Sequence, residues 1–453
     1  MNGPMTAADI RPCLEGLIPG VMATCAPDGT PNVAYLSQVQ YVDGDHVALS
    51  FQFFNKTREN VLANPVGTLL LVHPETGAQY RLTVHYLRTE TCGPLFENMK
   101  ARLAGIASHS GMAGVFRLLG SDVYRVSDIR HVPGTGMPEL ATQPYRHLLP
   151  ALRRAVLRLA ACTDTGQLFD AAMASLAEDF GIEHAMLLMA DAGASRLYTV
   201  ASHGYTDSGV GSEIALGEGV IGVAARERTP IRISHMTSDV AYTRAMRDSI
   251  AGNAPPATEI ALPGLPSPGS QIAVPVCTGG ALQAVLFAES VRELRFTYDD
   301  EDALVALAAS LGHAMRALQA CADADPEAAI DSEATGAMPP GEPTPLAVRY
   351  YEADGSVFLG EDYLIKGVAG AIFRKLVDEH VRTGRDTFTN RELRLDPALG
   401  LPDVSDNLEA RLVLLARRLV ERHACVRIER TGRGRFALRV ERPLRLEHVD
   451  RGG

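Results

Sequence analysis

The sequence has no tryptophan, and only four of its 43 basic residues are lysines (Lys56, Lys100, Lys366 and Lys375). The remainder are arginines, a skew that genome-wide bias produces and that makes each lysine worth placing. Seven cysteines (Cys13, Cys25, Cys92, Cys162, Cys277, Cys321, Cys425) lie far apart with no CxxC pair, which argues against both a disulfide framework and a zinc site and for reduced thiols. No uncharged apolar run reaches 18 residues, and the start, MNGPMTAADIRPC, lacks the basic and apolar regions of a secretory signal. The expectation is a soluble cytoplasmic protein without a membrane partner.

What is present is a chain of 453 residues, 46% hydrophobic and 21% charged. That length suits two to four domains, and that composition excludes a wholly disordered or fibrous chain. A net charge of −11 argues against a protein that coats nucleic acid with its entire surface. Two Pro/Gly-rich or acidic stretches, 131–146 and 321–345, read as breaks. They divide the chain into 1–135, 147–320, the linker 321–345, and 346–453; no fixed-period repeat suggests a solenoid.

The first part is rich in short β-type runs (GVMATCA, PNVAYLSQVQYV, HVALSFQF, GTLLLVH, YRLTVHYLRT) punctuated by PDGTPN, DGD and NPVG turns, a barrel pattern with a helical insertion near 95–118. FFNKTRENVLANP (53–65) follows a strand and opens a helix. Asn55, Lys56, Thr57 and Arg58 there combine backbone N–H groups, a hydroxyl and two cations, a set that suits phosphate; the alternative is a capped helix with solvated cations. Over about residues 10–135 this part resembles the FMN-binding split-barrel family, which includes pyridoxamine-phosphate oxidase-like proteins. The resemblance implies that Lys56, Thr57 and Asn60 hold the flavin phosphate, with Arg58 beside them. It further implies that the ring lies on the backbone of Ser37, Gln38 and Val39, with Gln79 and Arg81 contributing near ring or phosphate. Two departures matter. The missing tryptophan argues against vitamin B6 oxidation, and Glu59 stands where family members often carry a second cation. Haem is the alternative group, with His73, His85 and His109 as candidate ligands.

The second part opens and closes with helices around strand runs, an α+β pattern. VASHGYTDSGVGSEIALGEGVIGVAARERTPIRI (200–233) and IAVPVCTGGALQAVLFAE (272–289) resemble a GAF domain over about 150–320. Gly217, Gly219 and Gly222 are read as structural, allowing a turn and close helix packing. The resemblance implies a small-molecule pocket under a lid at 234–270, lined by His203, His235, Tyr242 and Cys277; no Cys-His pair marks Cys277 for bilin attachment. The flanking helices, 150–162 and 299–320, are candidates for pairing in a homodimer.

Residues 346–453 carry 20 Lys/Arg and 17 Asp/Glu, so the basic part of the chain is hidden by an acidic remainder; within it, 411–445 holds 11 arginines against three acids. Three helical segments (367–382, 389–395, 406–423) precede two alternating strands joined by TGRGR. This part resembles the winged-helix effector domain of response-regulator-type transcription factors. On that likeness Arg411, Arg417, Arg418 and Arg422 lie near one face of the third helix, and Arg430, Arg433 and Arg435 on the wing, as DNA contacts. The chain therefore reads as a multidomain protein, split barrel plus α+β GAF domain plus winged helix. Its expected role is a flavin-linked sensor and transcriptional regulator, with no catalytic residue or metal site assigned. The alternatives are an FMN-dependent oxidoreductase regulated by its GAF domain, a haem-binding sensor, and a cofactor-free assembly scaffold.

Overall fold

The computed structural model describes residues 5–14, 18–36, 38–52, 56–74, 76–109, 117–136, 147–191, 193–233, 260–323, 345–399 and 408–449. A short 3-10 segment, Ala7–Leu14, buries Ile10 and Leu14 against the first sheet. Then come β1 (Gly20–Cys25), β2 (Pro31–Leu36), β3 (Val39–Asp43), β4 (His46–Phe51), α1 (Lys56–Ala63), β5 (Val66–Val72), β6 (Gln79–Glu90), α2 (Pro94–His109) and β7 (Gly120–His131). The seven strands form one antiparallel sheet in the order β2-β1-β5-β6-β7-β4-β3. Its inner face is filled by Met22, Leu49, Leu69, Leu71, Leu82, Val84 and Tyr124, the alternate positions of their strands, as a half-buried sheet requires.

The central part comprises α3 (Leu149–Ala160), α4 (Thr165–Ala174), β8 (His184–Asp191), β9 (Arg196–His203), β10 (Glu213–Ala215), α5 (Gly219–Glu227), β11 (Ile231–Ile233), β12 (Ser270–Thr278), β13 (Ala281–Ser290) and α6 (Tyr298–Asp323). Asp164 caps α4 by accepting from the Gln167 N–H, and a wider π turn, Ser175–Asp179, extends that helix. The six strands run β10-β9-β8-β13-β12-β11. Two cores flank this sheet. Helices α3, α4 and α6 cover one face with Phe169, Leu304, Leu307 and Leu311, while α5 covers the other with Val220, Ile221 and Val223. Ala101 of α2 joins that second core, so the helical insertion of the first part roofs part of the central sheet. By length and composition α6 would suffice to cross a membrane; here it packs on β12 and α3 with Leu304, Leu307, Leu311 and Met315 buried.

The last part begins with β14 (Leu346–Tyr351), β15 (Ser356–Leu359) and β16 (Asp362–Ile365), continues through α7 (Gly367–Thr383), β17 (Thr387–Thr389), α8 (Asn390–Leu395) and α9 (Leu408–Glu421), and ends in β18 (Val426–Gly432), β19 (Arg435–Val440) and β20 (Leu444–Val449). Thr389 and Glu392 form a reciprocal capping box that fixes the start of α8. The three helices and the hairpin lie where the alternation and the TGRGR turn place them. Two pairings lie outside what those patterns announce: β17 adds to the β18–β19 hairpin, and β20 runs parallel to β14. The apolar core of the central part continues without interruption into this one.

Candidate functional site

The start of α1 is where the first part brings polar side chains together. Asn32 on β2 donates from Nδ2 to Thr57 Oγ1 (2.9 Å), and Asn60 donates to Thr24 Oγ1 on β1 (3.1 Å). Thr57 and Asn60 are therefore buried cross-links between helix and sheet. Arg58 lies over the Phe51 ring, 3.7 Å from its centroid, and forks onto both oxygens of Asp122 on β7 at 2.6 and 2.5 Å. Thr89 donates to Asp122 as well. Lys56 is half exposed and pairs with Glu59 at 3.2 Å. Each expected phosphate cation already has a carboxylate partner, and the four charges sum to zero.

Beside this cluster is a cavity of about 60 Å³ lined by Leu36, Ser50, Phe51, Thr57, Arg58 and Asp122. Ser50 Oγ is buried there with no partner among the described residues. The volume is far below that of a typical ligand pocket, and most of a mononucleotide would lie outside it.

The other expected flavin residues divide. Val39 points into the barrel core. Gln38 does not face the cavity: its amide donates to Gln40 (3.4 Å), Gln40 to Asn98 on α2 (2.9 Å), and Asn98 to Thr229 just after α5 (3.0 Å). A line of neutral amides thus runs from β3 into the central domain. Gln79 and Arg81 do not join Lys56 and Thr57. The α1 cluster sits by Thr24, whose ladder neighbours are Gly67 and Val84, whereas Gln79 pairs with Val72, about 17 Å further along at strand spacing. The same register separates His73 from His85, which pairs with Val66, so those two do not form a haem ligand pair. Ser37, Asn55 and the His109 side chain lie outside the described residues.

In the central part His203 and Cys277 do not converge either. His203 aligns with Ile272 through Ala185 and Ala288, at the opposite end of the sheet from Cys277, and it is exposed. Burial raises the Cys277 thiol above its ordinary value, which suits a packed residue. His235 and Tyr242, with 234–259 of the expected lid, lie outside the described residues. Gly217 and Gly219 adopt φ of +90° and +57°, and a Cβ on Gly222 would stand 2.3 Å from the Ala215 carbonyl oxygen, in line with the structural reading of GEGVIG.

Residues 162–316 match the family model described as GAF domain, and residues 6–127 match that of pyridoxamine 5'-phosphate oxidase. The chain joins an oxidase-like domain to a GAF domain. Among solved structures, the GAF domain of an Acinetobacter phosphoenolpyruvate-protein phosphotransferase superposes with a TM-score of 0.31 at 20% identity, over 39% of this chain and 96% of its own. An FMN-binding protein from Syntrophomonas wolfei gives 0.24 at 18%, over 27% and 84%. The free methionine-R-sulfoxide reductase of Neisseria meningitidis, in complex with its substrate, gives 0.30 at 21%, over 40% and 97%. No curated protein matches the chain.

The oxidase-like and GAF domains meet at a buried charge cluster that sequence reading missed. Arg102 on α2 donates to both oxygens of Glu301 on α6 (3.1 Å each), and Arg232 on β11 donates to the same carboxylate at 2.8 Å. The two guanidiniums and that of Arg11 crowd the Tyr298 ring, whose hydroxyl donates to the Leu14 carbonyl. Three sequence-distant residues of unremarkable context make this joint, and no local pattern announces it.

The arginines expected to contact DNA are largely occupied. Arg411 is 4% exposed and pairs with Asp191 of the GAF domain at 3.3 Å; Arg417 donates to Asp170 and to the Val200 carbonyl, both at 2.6 Å. Arg418 turns into its own domain, donating to the Leu364 carbonyl and to Glu421. Burial pulls Arg417 and Arg418 below the ordinary arginine value. Arg430 is exposed at its edge yet reaches Glu409 and Asp164, and Arg435 is half buried. Arg422 and Arg433 are exposed. The four α9 arginines do not share one free face: Arg411 and Arg417 lie on the GAF domain, Arg418 turns into its own domain and Arg422 is left exposed.

Neutralising Glu59 tests the phosphate assignment at an exposed position. If α1 holds a flavin phosphate, Glu59→Gln releases Lys56 and is expected to tighten FMN binding by about two- to fivefold, the size of an exposed ion pair, with unchanged thermal stability; flavin fluorescence titration measures it.

Proposed function

We propose that the chain is a flavin-linked sensor whose C-terminal part is a winged-helix DNA-binding output. The observation that carries the sensor reading is the amide line Gln38–Gln40–Asn98–Thr229: the strand on which a flavin ring would rest is tied by side chains to the GAF domain, a coupling that an enzyme with a separate regulator does not need. Lys56, Arg58 and the N–H groups opening α1 would hold the phosphate, with Ser50 as a further polar group at the cavity. Bound flavin supplies one- or two-electron redox chemistry. Binding asks Arg58 to share itself between Asp122 and phosphate, which links occupancy to the β4–β7 side of the barrel. The DNA-binding output draws support from the order of the C-terminal elements, a small sheet, three helices and an Arg-tipped hairpin.

The test is purification and reconstitution. Yellow protein whose flavin absorption is lost in Lys56→Ala combined with Arg58→Lys supports the reading. Colourless protein that takes up no FMN on reconstitution overturns it. NAD(P)H turnover at enzyme-like rates would instead favour the oxidoreductase alternative.

A further inference from the structure

Helix α9 is covered along nearly all of its length, although its sequence has only one apolar stripe. Leu415 and Leu419 face its own domain and are fully buried. Arg411 and Arg417 lie against the GAF domain, where α9 packs on α4 and β9. A charged face stays buried only if its charges are matched, and here they are. Arg411 lies 5.2 Å from the centroid of the Tyr198 ring and pairs with Asp191; Arg417 pairs with Asp170 and caps the Val200 carbonyl. Thr165 donates to Glu409 (2.6 Å), Ser208 donates to Glu421, and Arg430 approaches Asp164 at 3.7 Å. Three GAF carboxylates therefore sit on three arginines that the winged-helix reading assigns to DNA contacts.

We propose that the GAF domain holds α9 in an occluded state, its Asp164, Asp170 and Asp191 standing where duplex phosphates would bind, so that DNA and the GAF domain compete for one face of the helix. This inference rests on the DNA-binding reading above and adds its regulation. The same strand reaches both sides of the GAF sheet: Tyr198 and Val200 of β9 belong to the core beneath α9, and Leu197 to the core beneath α5. A small molecule or a barrel movement that shifts α5 thus bears on the strand that carries the clamp.

The test uses the full chain, a labelled 30-base-pair duplex of mixed sequence, and hydrogen exchange across α9 as a direct report of undocking. Asp170→Lys acts at a side chain 77% exposed and places a cation opposite Arg417; Asp170→Lys with Asp191→Asn removes the second partner. The expected result is faster exchange in α9 and duplex binding at least about tenfold tighter than wild type at low salt, the gain from removing a competing closed state. Faster exchange with unchanged affinity, the wild type itself binding, would overturn the occlusion and leave DNA binding standing. Faster exchange with no binding by any form would overturn the DNA reading and the inference with it. Unchanged exchange in both variants would show that these carboxylates do not hold the helix.

Discussion

Glu301→Gln is expected to destabilise the joint between the oxidase-like and GAF domains by about 3–5 kcal/mol, because it strips the carboxylate shared by two buried guanidiniums. Arg102 and Arg232 have side chains 7% and 1% exposed, so water cannot replace what is lost. The lower-melting transition in calorimetry, or accelerated exchange in α2 and β11, reads the effect. Combining Arg102→Met, Arg232→Met and Glu301→Leu in one protein should recover most of the loss, since apolar residues of similar volume need no countercharge. The joint also has a pH dependence of fixed sign. Arg102 and Arg232 overcome the burial penalty and hold the Glu301 carboxyl below its ordinary value of 4.5. Its stabilising contribution is then complete above about pH 4.5 and disappears as pH falls through the lowered folded value. A Glu301→Gln protein should lose stability less steeply over that acid range.

Gly222→Ala is the second large effect. The new methyl group would stand 2.3 Å from the Ala215 carbonyl oxygen and 3.0 Å from the Gly217 nitrogen, both backbone atoms of the turn that the Gly217 N–H to Gly222 carbonyl bond holds closed. Neither can rotate away, so α5 must lift from the sheet, at about 3 kcal/mol. Gly219→Ala is the control. Its Cβ would meet nothing within 4 Å, and only the φ of +57° is strained, for about 1–2 kcal/mol. Thermal unfolding of the two variants separates close approach from backbone strain within one motif.

Much of this architecture is legible in the sequence because it is local. Period-two runs mark the strands of the barrel, the TGRGR turn marks the β18–β19 hairpin, and glycines at 217, 219 and 222 mark a constrained helix start. What the sequence hides depends on register and on distant partners. Gln79 and Lys56 look close among family positions, yet pairing Val72 with Gln79 and Gly67 with Val84 carries them to different ends of one ladder. Arg411 and Arg417 show a helical face rich in cations, but their partners Asp191 and Asp170 lie more than 200 residues earlier. Sequence patterning marks no element after the hairpin; the parallel pairing of β20 with β14 is set by the fold of everything between them. The phosphate cluster is half visible. Lys56–Glu59 follows from helical spacing, whereas Arg58–Asp122 needs the barrel to close.

The two joints differ in how they answer the surrounding solution. Between barrel and GAF domain, neutral amides and a carboxylate sealed between two guanidiniums are out of reach of mobile ions, while the Lys100–Glu227 and Arg11–Asp302 pairs at the rim are partly exposed. Between GAF domain and α9, Asp170 is 77% exposed and the Arg430–Asp164 pair is partly wet, within reach of screening over roughly 10 Å at 0.1 M salt. Rising ionic strength should therefore weaken the exposed pairs on α9 before the sealed carboxylate of the barrel joint, while the apolar core that the GAF domain shares with the C-terminal part is untouched by screening.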